Sequence, residues 1–367
     1  VSKQDELQQK RSRIDSYLDT KSLHGIFLTR QNNFAWITGG CENRVGLATE
    51  IGAATAHVTR DSIIIITNNI EAPRLRHEEL GELDIEVRDY PWFDEAGRDS
   101  IIRDLIGSNT VASDTGFSGT VRLDRDFDTL RYSLIDEEID RYRWLGRNCS
   151  LVLERICTTI KQDDSELEIA ARLAHEALRI SITPTVILVA ADDRAFHYRH
   201  PLPTEKKVKE HVMVVLGGRR WGLIASVTRL ANFGKISPDL RKKHVAVCNI
   251  DAALILSSRT GAATGSALDA GIKTYEAFGF TDEWKLHHQG GPTGYEARDY
   301  RVVPGDQRII QPNQAIAWNP SIAGSKSEDT ILCTESTPEI LTPCHQWPTT
   351  SYEYNGMVIS RPDIYEV

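Results

Sequence analysis

The residues of this chain that could do chemistry fall into four short segments, each near the end of an apolar run: FHYRHPLPT (196–204), SVTR (226–229), HHQGGPTGYEARD (287–299) and NPSIAGSKSEDTIL (319–332). The imidazoles His197, His200, His287 and His288 belong to the side chain that changes charge near neutral pH, so they suit proton transfer. Arg229 and Arg298 offer planar guanidinium groups that match a carboxylate bidentately, and Tyr295 adds a hydroxyl to the same wall. Glu328 and Asp329 resemble half of a metal site, yet a divalent cation needs several donors held at once. A plainer reading stands beside each of these. His200 and His197 could be surface-loop histidines, and His287 and His288 a turn packed on a sheet. Arg229 could serve an internal ion pair. Lys326 is expected to face solvent.

These segments need a scaffold to position them. A length of 367 residues suits two domains. With 40% hydrophobic and 26% charged residues the composition is that of a globular protein. The net charge of −9 argues against a phosphate-tracking surface, so no nucleic-acid partner is expected. No window is apolar enough for a membrane span and the N-terminal stretch lacks an apolar signal core, which gives the expectation of a cytoplasmic protein with no membrane partner. The six cysteines are scattered without a CxxC pair, so neither a zinc ribbon nor a dithiol motif is available. No dinucleotide or P-loop fingerprint appears, and no cofactor is expected.

The pattern of apolar residues predicts an α/β first domain over 1–134, with helices at 3–20 and GRDSIIRDLIG and strands at HGIFLT, DSIIIIT and LDIEVRDY. The second domain, 135–367, opens on a long helix from Asp136 to Ile160 and a helix started by the capping box of Ser165 and Glu168. Strands PTVILVAA, HVMVVLGG and WGLIASVTRL follow. Two further helices, SPDLRKKHVAVCNIDAALIL and TGSALDAGIKTYEAFGF, then lead to a strand-rich end. The chain as a whole reads as α+β.

The four segments, in this order, resemble the pita-bread superfamily of aminopeptidase P, prolidase, methionine aminopeptidase and creatinase. NNFAWITGG is similar to the Asn-x-x-x-Trp-x-Thr-Gly of the creatinase and prolidase N-domain, so the resemblance covers nearly the whole chain. It implies a C-terminal pita-bread domain behind a smaller α/β domain. Metal-dependent members hold two cations with Asp, Asp, His, Glu and Glu. In register with Gly217, Gly222, Thr228 and Arg229, the two Asp positions fall on Val215 and Ser226. With His287, Gly290 and Gly294 in register, the His position falls on Gly291. A frame that makes His288 the ligand loses the glycine matches. A further family His falls on Arg298. The Glu-Pro dipeptide reads Asn319-Pro320, and Glu328-Asp329-Thr330 is intact. One of the five donors survives, so no metal pair is expected.

Creatinase keeps the fold without metals and uses a His shortly before a Pro; His200 occupies the most similar place. The resemblance therefore implies a metal-independent hydrolase acting on a C–N bond of a small amino-acid-like or amide substrate. In this reading His200 carries the proton, Glu328 orients a histidine or receives a cationic group, and His197, Arg229, His287, His288, Tyr295, Arg298 and Asn319 bind a carboxylate-bearing substrate. Two alternatives stay open: a non-catalytic peptide- or partner-binding protein, like histone-chaperone relatives of the fold, and an Xaa-Pro-type metallopeptidase. Fold relatives are often dimers, so a homodimer is expected.

Overall fold

A computed structural model describes residues 3–367, which divide into two compact units: one running up to Arg131 with Trp221–Leu223, the other of Tyr132–Arg220 and Ile224–Val367. In the first unit the chain runs α1 (Lys3–Lys21), β1 (Gly25–Arg30), α2 (Gln31–Ile37), β2 (Ile51–Thr59), β3 (Ile63–Asn68), α3 (Ala72–Arg74), β4 (Glu86–Tyr90), α4 (Glu95–Ile106), β5 (Val111–Ser113) and β6 (Val121–Arg122). The six strands form one mixed sheet in the order β4-β3-β2-β1-β5-β6. The β-branched run of β3 is buried along nearly its whole length, as a central strand requires. Phe27, Ile66, Ile102 and Val111 close a core between this sheet and α4. The apolar run FAWI is helical, in α2, where Trp36 is fully buried.

The second unit contains α5 (Asp136–Cys157), α6 (Glu166–Arg179), β7 (Thr183–Ala191), α7 (Asp193–His197), β8 (His211–Arg220), β9 (Leu223–Asn232), α8 (Pro238–Ser257) and α9 (Thr264–Ala277). It ends in short strands: β10 (Gly290–Thr293), β11 (Ala315–Trp318), β12 (Ser321–Ile322), β13 (Ser325–Lys326), β14 (Asp329–Leu332), β15 (Glu339–Ile340), β16 (Thr349–Tyr354), β17 (Met357–Pro362) and β18 (Tyr365–Glu366). One sheet has the order β18-β9-β8-β7 and a second β10-β11-β14-β15. Helices α5 and α6 pack on β8 and β7, while α8 packs on α9 and on β13, β16 and β17. Residues of α8 and α9 share one core with Ile316 and Trp318 of β11 and Ile331 of β14, so helices and sheets pack in an α+β arrangement.

The helix starts follow from local chemistry. Ser165 accepts a hydrogen bond from the Glu168 amide at 3.2 Å while the Glu168 carboxylate accepts from the Ser165 amide at 2.7 Å, the reciprocal capping box. Ser237 caps α8, accepting from the Leu240 amide, with Pro238 at the first helical position.

A buried ionic network fastens β9 to β14. Arg229 is fully buried, its Nη1 3.1 Å from Asp329 Oδ1 and its Nε 3.4 Å from Glu154 Oε1, and Nη2 donates to the Thr342 carbonyl. Arg361 holds Asp329 Oδ2 at 2.5 Å and Asp251 Oδ2 at 2.6 Å. The guanidinium of Arg229 is therefore spent inside the protein, and of the two uses open in the sequence the structure places it in the internal ion pair.

Candidate active site

The loop that carries His200 is tied down at both ends by one carboxylate. Glu166, in the first turn of α6 and fully buried, accepts through Oε1 from the Ala191 amide (2.8 Å) and Arg194 Nε (2.9 Å). Through Oε2 it accepts from the Thr204 amide (2.9 Å) and hydroxyl (2.7 Å). A carboxylate is tolerated in this buried position because four donors converge on its two oxygens. Between these anchors Arg199 reaches Glu283 at 2.5 Å and Ser321 Oγ at 3.4 Å.

Three imidazoles then meet. His200 Nε2 lies 3.1 Å from His287 Nε2, and His287 Nδ1 lies 3.0 Å from Ser321 Oγ. The His288 ring is 4.8 Å from that of His287 and 5.7 Å from that of His200, centroid to centroid. His287 is buried, His288 half-buried and His200 exposed. Burial, reinforced by the nearby Lys326 ammonium, holds His287 far below the usual imidazole range. Burial with the Arg298 and Arg301 charges pushes His288 down to about 4. His200 is lowered by partial burial and by Lys326, with the Glu328 charge opposing. His287 and His288 are therefore neutral at pH 7, and His200 is biased toward its neutral form.

The floor beside them is set by strand ends. Ser321 and Lys326 are directly paired across β12 and β13, which puts their side chains on one face. Lys326 is only 3% exposed, with Nζ 2.7 Å from Glu328 Oε2. The expectation that it faces solvent is corrected: β13 turns it inward, and its charge is matched there by the carboxylate. Thr228 Oγ1 donates to the same Glu328 oxygen at 2.6 Å, and Arg298 Nη2 lies 3.4 Å from Oε1. Burial alone would raise the Glu328 carboxyl; Lys326 and Arg298 outweigh it and hold the group ionised below its ordinary range. Glu328 acts on His200 through its field, whereas the hydrogen-bonded partner of His200 is His287.

Other expected site residues lie elsewhere. Tyr295 is buried and donates to Glu138 Oε1 at 2.7 Å. His197 ends α7, exposed, beside Tyr198 and outside the imidazole cluster. Asn319 is buried; its backbone amide donates to the Gln289 carbonyl at 2.9 Å and its Oδ1 has no partner among the described residues. Gly290, with φ 117°, lets this backbone pass: a Cβ there would meet the Ala317 carbonyl oxygen at 2.2 Å and Asn319 Oδ1 at 3.0 Å.

The positions assigned to a metal pair do not fit one. Val215 packs in an apolar cluster with Leu188, Leu230 and Leu240. Ser226 is neutral, and both its backbone groups bond to Thr330 Oγ1. Gly291 has no donor side chain, and both oxygens of Glu328 are engaged by Lys326, Thr228 and Arg298. The Lys326 ammonium, 2.7 Å away, already balances the Glu328 carboxylate.

Glu166, Ser321, Arg199 and Glu283 were not singled out in the sequence. The pairing of Ser321 with His287 had no local signal, because 34 residues separate them. Glu166 had one: an acidic first-turn residue after a capping serine, which reads as ordinary helix-dipole compensation.

Known structures share this architecture. The chain superposes on an Xaa-Pro dipeptidase from Bacillus anthracis with a TM-score of 0.78 at 16% identity, covering 98% of this chain and 100% of that one. It superposes on a prolidase from Pyrococcus horikoshii OT3 with a TM-score of 0.78 at 17% identity, covering 92% and 99%. The N-terminal domain of the FACT complex subunit SPT16 from Cicer arietinum (chickpea) gives a TM-score of 0.70 at 14% identity, covering 93% and 97%. No curated protein sequence matches. Residues 140–335, more than half of the chain, match the description of metallopeptidase family M24, and the chain belongs to that family, with its pita-bread fold.

Proposed function

We propose that this M24-family chain is a hydrolase that cleaves a C–N bond of a small, carboxylate-bearing amino-acid-like or amide substrate, without a metal pair and with His200 as proton carrier. The observation that carries the reading is the chain Ser321–His287–His200, with contacts of 3.0 and 3.1 Å. It has two tautomeric forms. When His287 donates from Nδ1 to Ser321, its Nε2 accepts from His200, and His200 Nδ1 is left as a base. When Ser321 donates to His287 Nδ1, every bond reverses and His200 Nδ1 carries a proton. Arg199, already donating to Ser321 Oγ, leaves the hydroxyl free to take either part.

In the reaction, His200 Nδ1 removes a proton from water as its oxygen bonds to the substrate carbon. The same proton passes to the departing nitrogen as the C–N bond breaks. In this proposal Lys326, which uses one of its three donors on Glu328, and Arg298 meet the substrate carboxylate. Thermal-shift screening of small amides, amino-acid derivatives and Xaa-Pro dipeptides, followed by turnover assays on the hits, tests this. His200→Ala should abolish turnover of each hit without lowering the melting temperature. A homodimer and a cytoplasmic location belong to the same proposal and are open to light scattering and to cell fractionation.

One observation favours a second reading. The SPT16 domain shares the fold at a TM-score of 0.70, so the chain could use its surface to bind a protein partner instead. Binding of a peptide by a wild-type protein that turns over nothing in the panel would select that reading. An Xaa-Pro metallopeptidase is disfavoured by the engagement of Glu328 described above.

A further inference from the structure

The imidazole cluster has the makings of a cation site unlike the carboxylate-rich one of the family. The ligating nitrogens of His200, His287 and His288 all lie within 4.8 Å of one another, and the nearest pair is 3.1 Å apart. A tetrahedral zinc ion bound by nitrogens at about 2.0–2.1 Å sets its donors roughly 3.4 Å apart. Two of the three candidate donors therefore lie close to that spacing, and the third lies within 4.8 Å of both.

Two further observations point to a ligand. His287 Nδ1 is held by Ser321 at 3.0 Å, the outer hydrogen bond that fixes ring orientation and frees Nε2 to coordinate. His288 Nδ1 is a buried ring nitrogen with no hydrogen-bond partner among the described residues. A buried polar atom left in this state lacks something the site could supply.

We infer that His200, His287 and His288 bind one late first-row divalent cation of the zinc type, and that its capture switches the enzyme off. The binding half stands on geometry alone. The inhibitory half rests on the proposed role of His200, because an ion on His200 and His287 Nε2 removes the hydrogen bond through which the tautomers exchange.

Imidazole donors favour zinc, copper, nickel and cobalt over magnesium or calcium. The charges around the cluster set the fourth ligand. Lys326, Arg298 and Arg301 bear on it as cations, with Glu328 opposing, so a small anion such as chloride or hydroxide completes the shell.

The test uses the full chain freed of metal by chelator and gel filtration. Titration with Co²⁺ should give one equivalent bound and a visible absorption band of a four- or five-coordinate centre, and Zn²⁺ should displace it. His288→Gln and His287→Gln should each weaken Co²⁺ binding tenfold or more. His175→Ala, an exposed histidine on α6, should leave it unchanged. Circular dichroism checks that the variants fold, and His200→Gln, at an exposed position, serves if either buried-ring variant does not. Binding that is absent, or that persists undiminished in the folded cluster variants, overturns the site. With any substrate found, one equivalent of Zn²⁺ should abolish turnover. Binding without loss of turnover overturns the inhibitory half alone, and binding in a protein where His200→Ala turns over normally means the proposed function has failed while the site stands.

Discussion

His200 and His287 are joined nitrogen to nitrogen at 3.1 Å although 87 residues separate them, and the pair is anchored at its inner end by Ser321. One imidazole is buried and the other exposed. The buried ring fixes which nitrogen of the exposed ring faces outward, as an orienting group does for a catalytic histidine.

Replacing His287 by Gln should therefore slow turnover by about 10²–10⁴-fold, the range of a lost acid–base contribution, while leaving KM within a few fold. Steady-state kinetics on a substrate from the panel checks this. A variant that raises KM and leaves kcat intact would make His287 a binding residue only.

Lys326 and Glu328 form a buried ion pair at 2.7 Å with side chains 3% and 5% exposed. Removing one partner strands the other charge, so Lys326→Met should cost about 3–5 kcal/mol of unfolding free energy. Lys326→Met with Glu328→Gln should cost less than the sum of the single changes. Urea denaturation of the four proteins in this cycle measures the coupling.

Arg229 sits fully buried between Asp329 and Glu154. Arg229→Met should destabilise by about 3–5 kcal/mol through the same stranding of charge. In residual folded protein, KM for a carboxylate substrate should be unchanged, since the guanidinium is committed inward.

Acid should loosen the turn that carries Lys326. His211 Nε2 lies 3.0 Å from the Gly324 carbonyl and His244 Nδ1 2.9 Å from Ser325 Oγ. Burial lowers both rings to about 4. An unfolded imidazole takes up its proton near 6.5, so between 6.5 and 4 the unfolded chain holds more protons than the folded one. The stability contributed by the neutral rings is full above 6.5 and falls as the pH drops toward 4, by on the order of 3 kcal/mol per ring at most. Thermal unfolding at intervals from pH 7.5 to 4 should show a steady decline. His211→Gln should make it shallower, leaving the part due to His244.

Much of the fold was legible because its signals are local. The capping box at Ser165, the Ser-Pro start of α8 and the β-branched run of β3 each specify an element within a few residues. The helix at FAWI was not legible, because short apolar runs carry no period of their own. The site was legible only as a set of residue types. Which histidine bonds to which depends on the Glu166 clamp and on the cross-strand pairing of Ser321 with Lys326, both long-range facts. Lys326 was misread because lysines favour the surface, whereas its cross-strand pairing with Ser321 puts it in the interior beside Glu328.

The most direct measurement combines elemental analysis with turnover by the metal-free enzyme. The account predicts that protein stripped of metal by chelator still turns over a small amide or dipeptide substrate and that His200→Ala does not. Two bound metal ions per chain, with activity lost to chelator and restored by Mn²⁺, Co²⁺ or Zn²⁺, would contradict it.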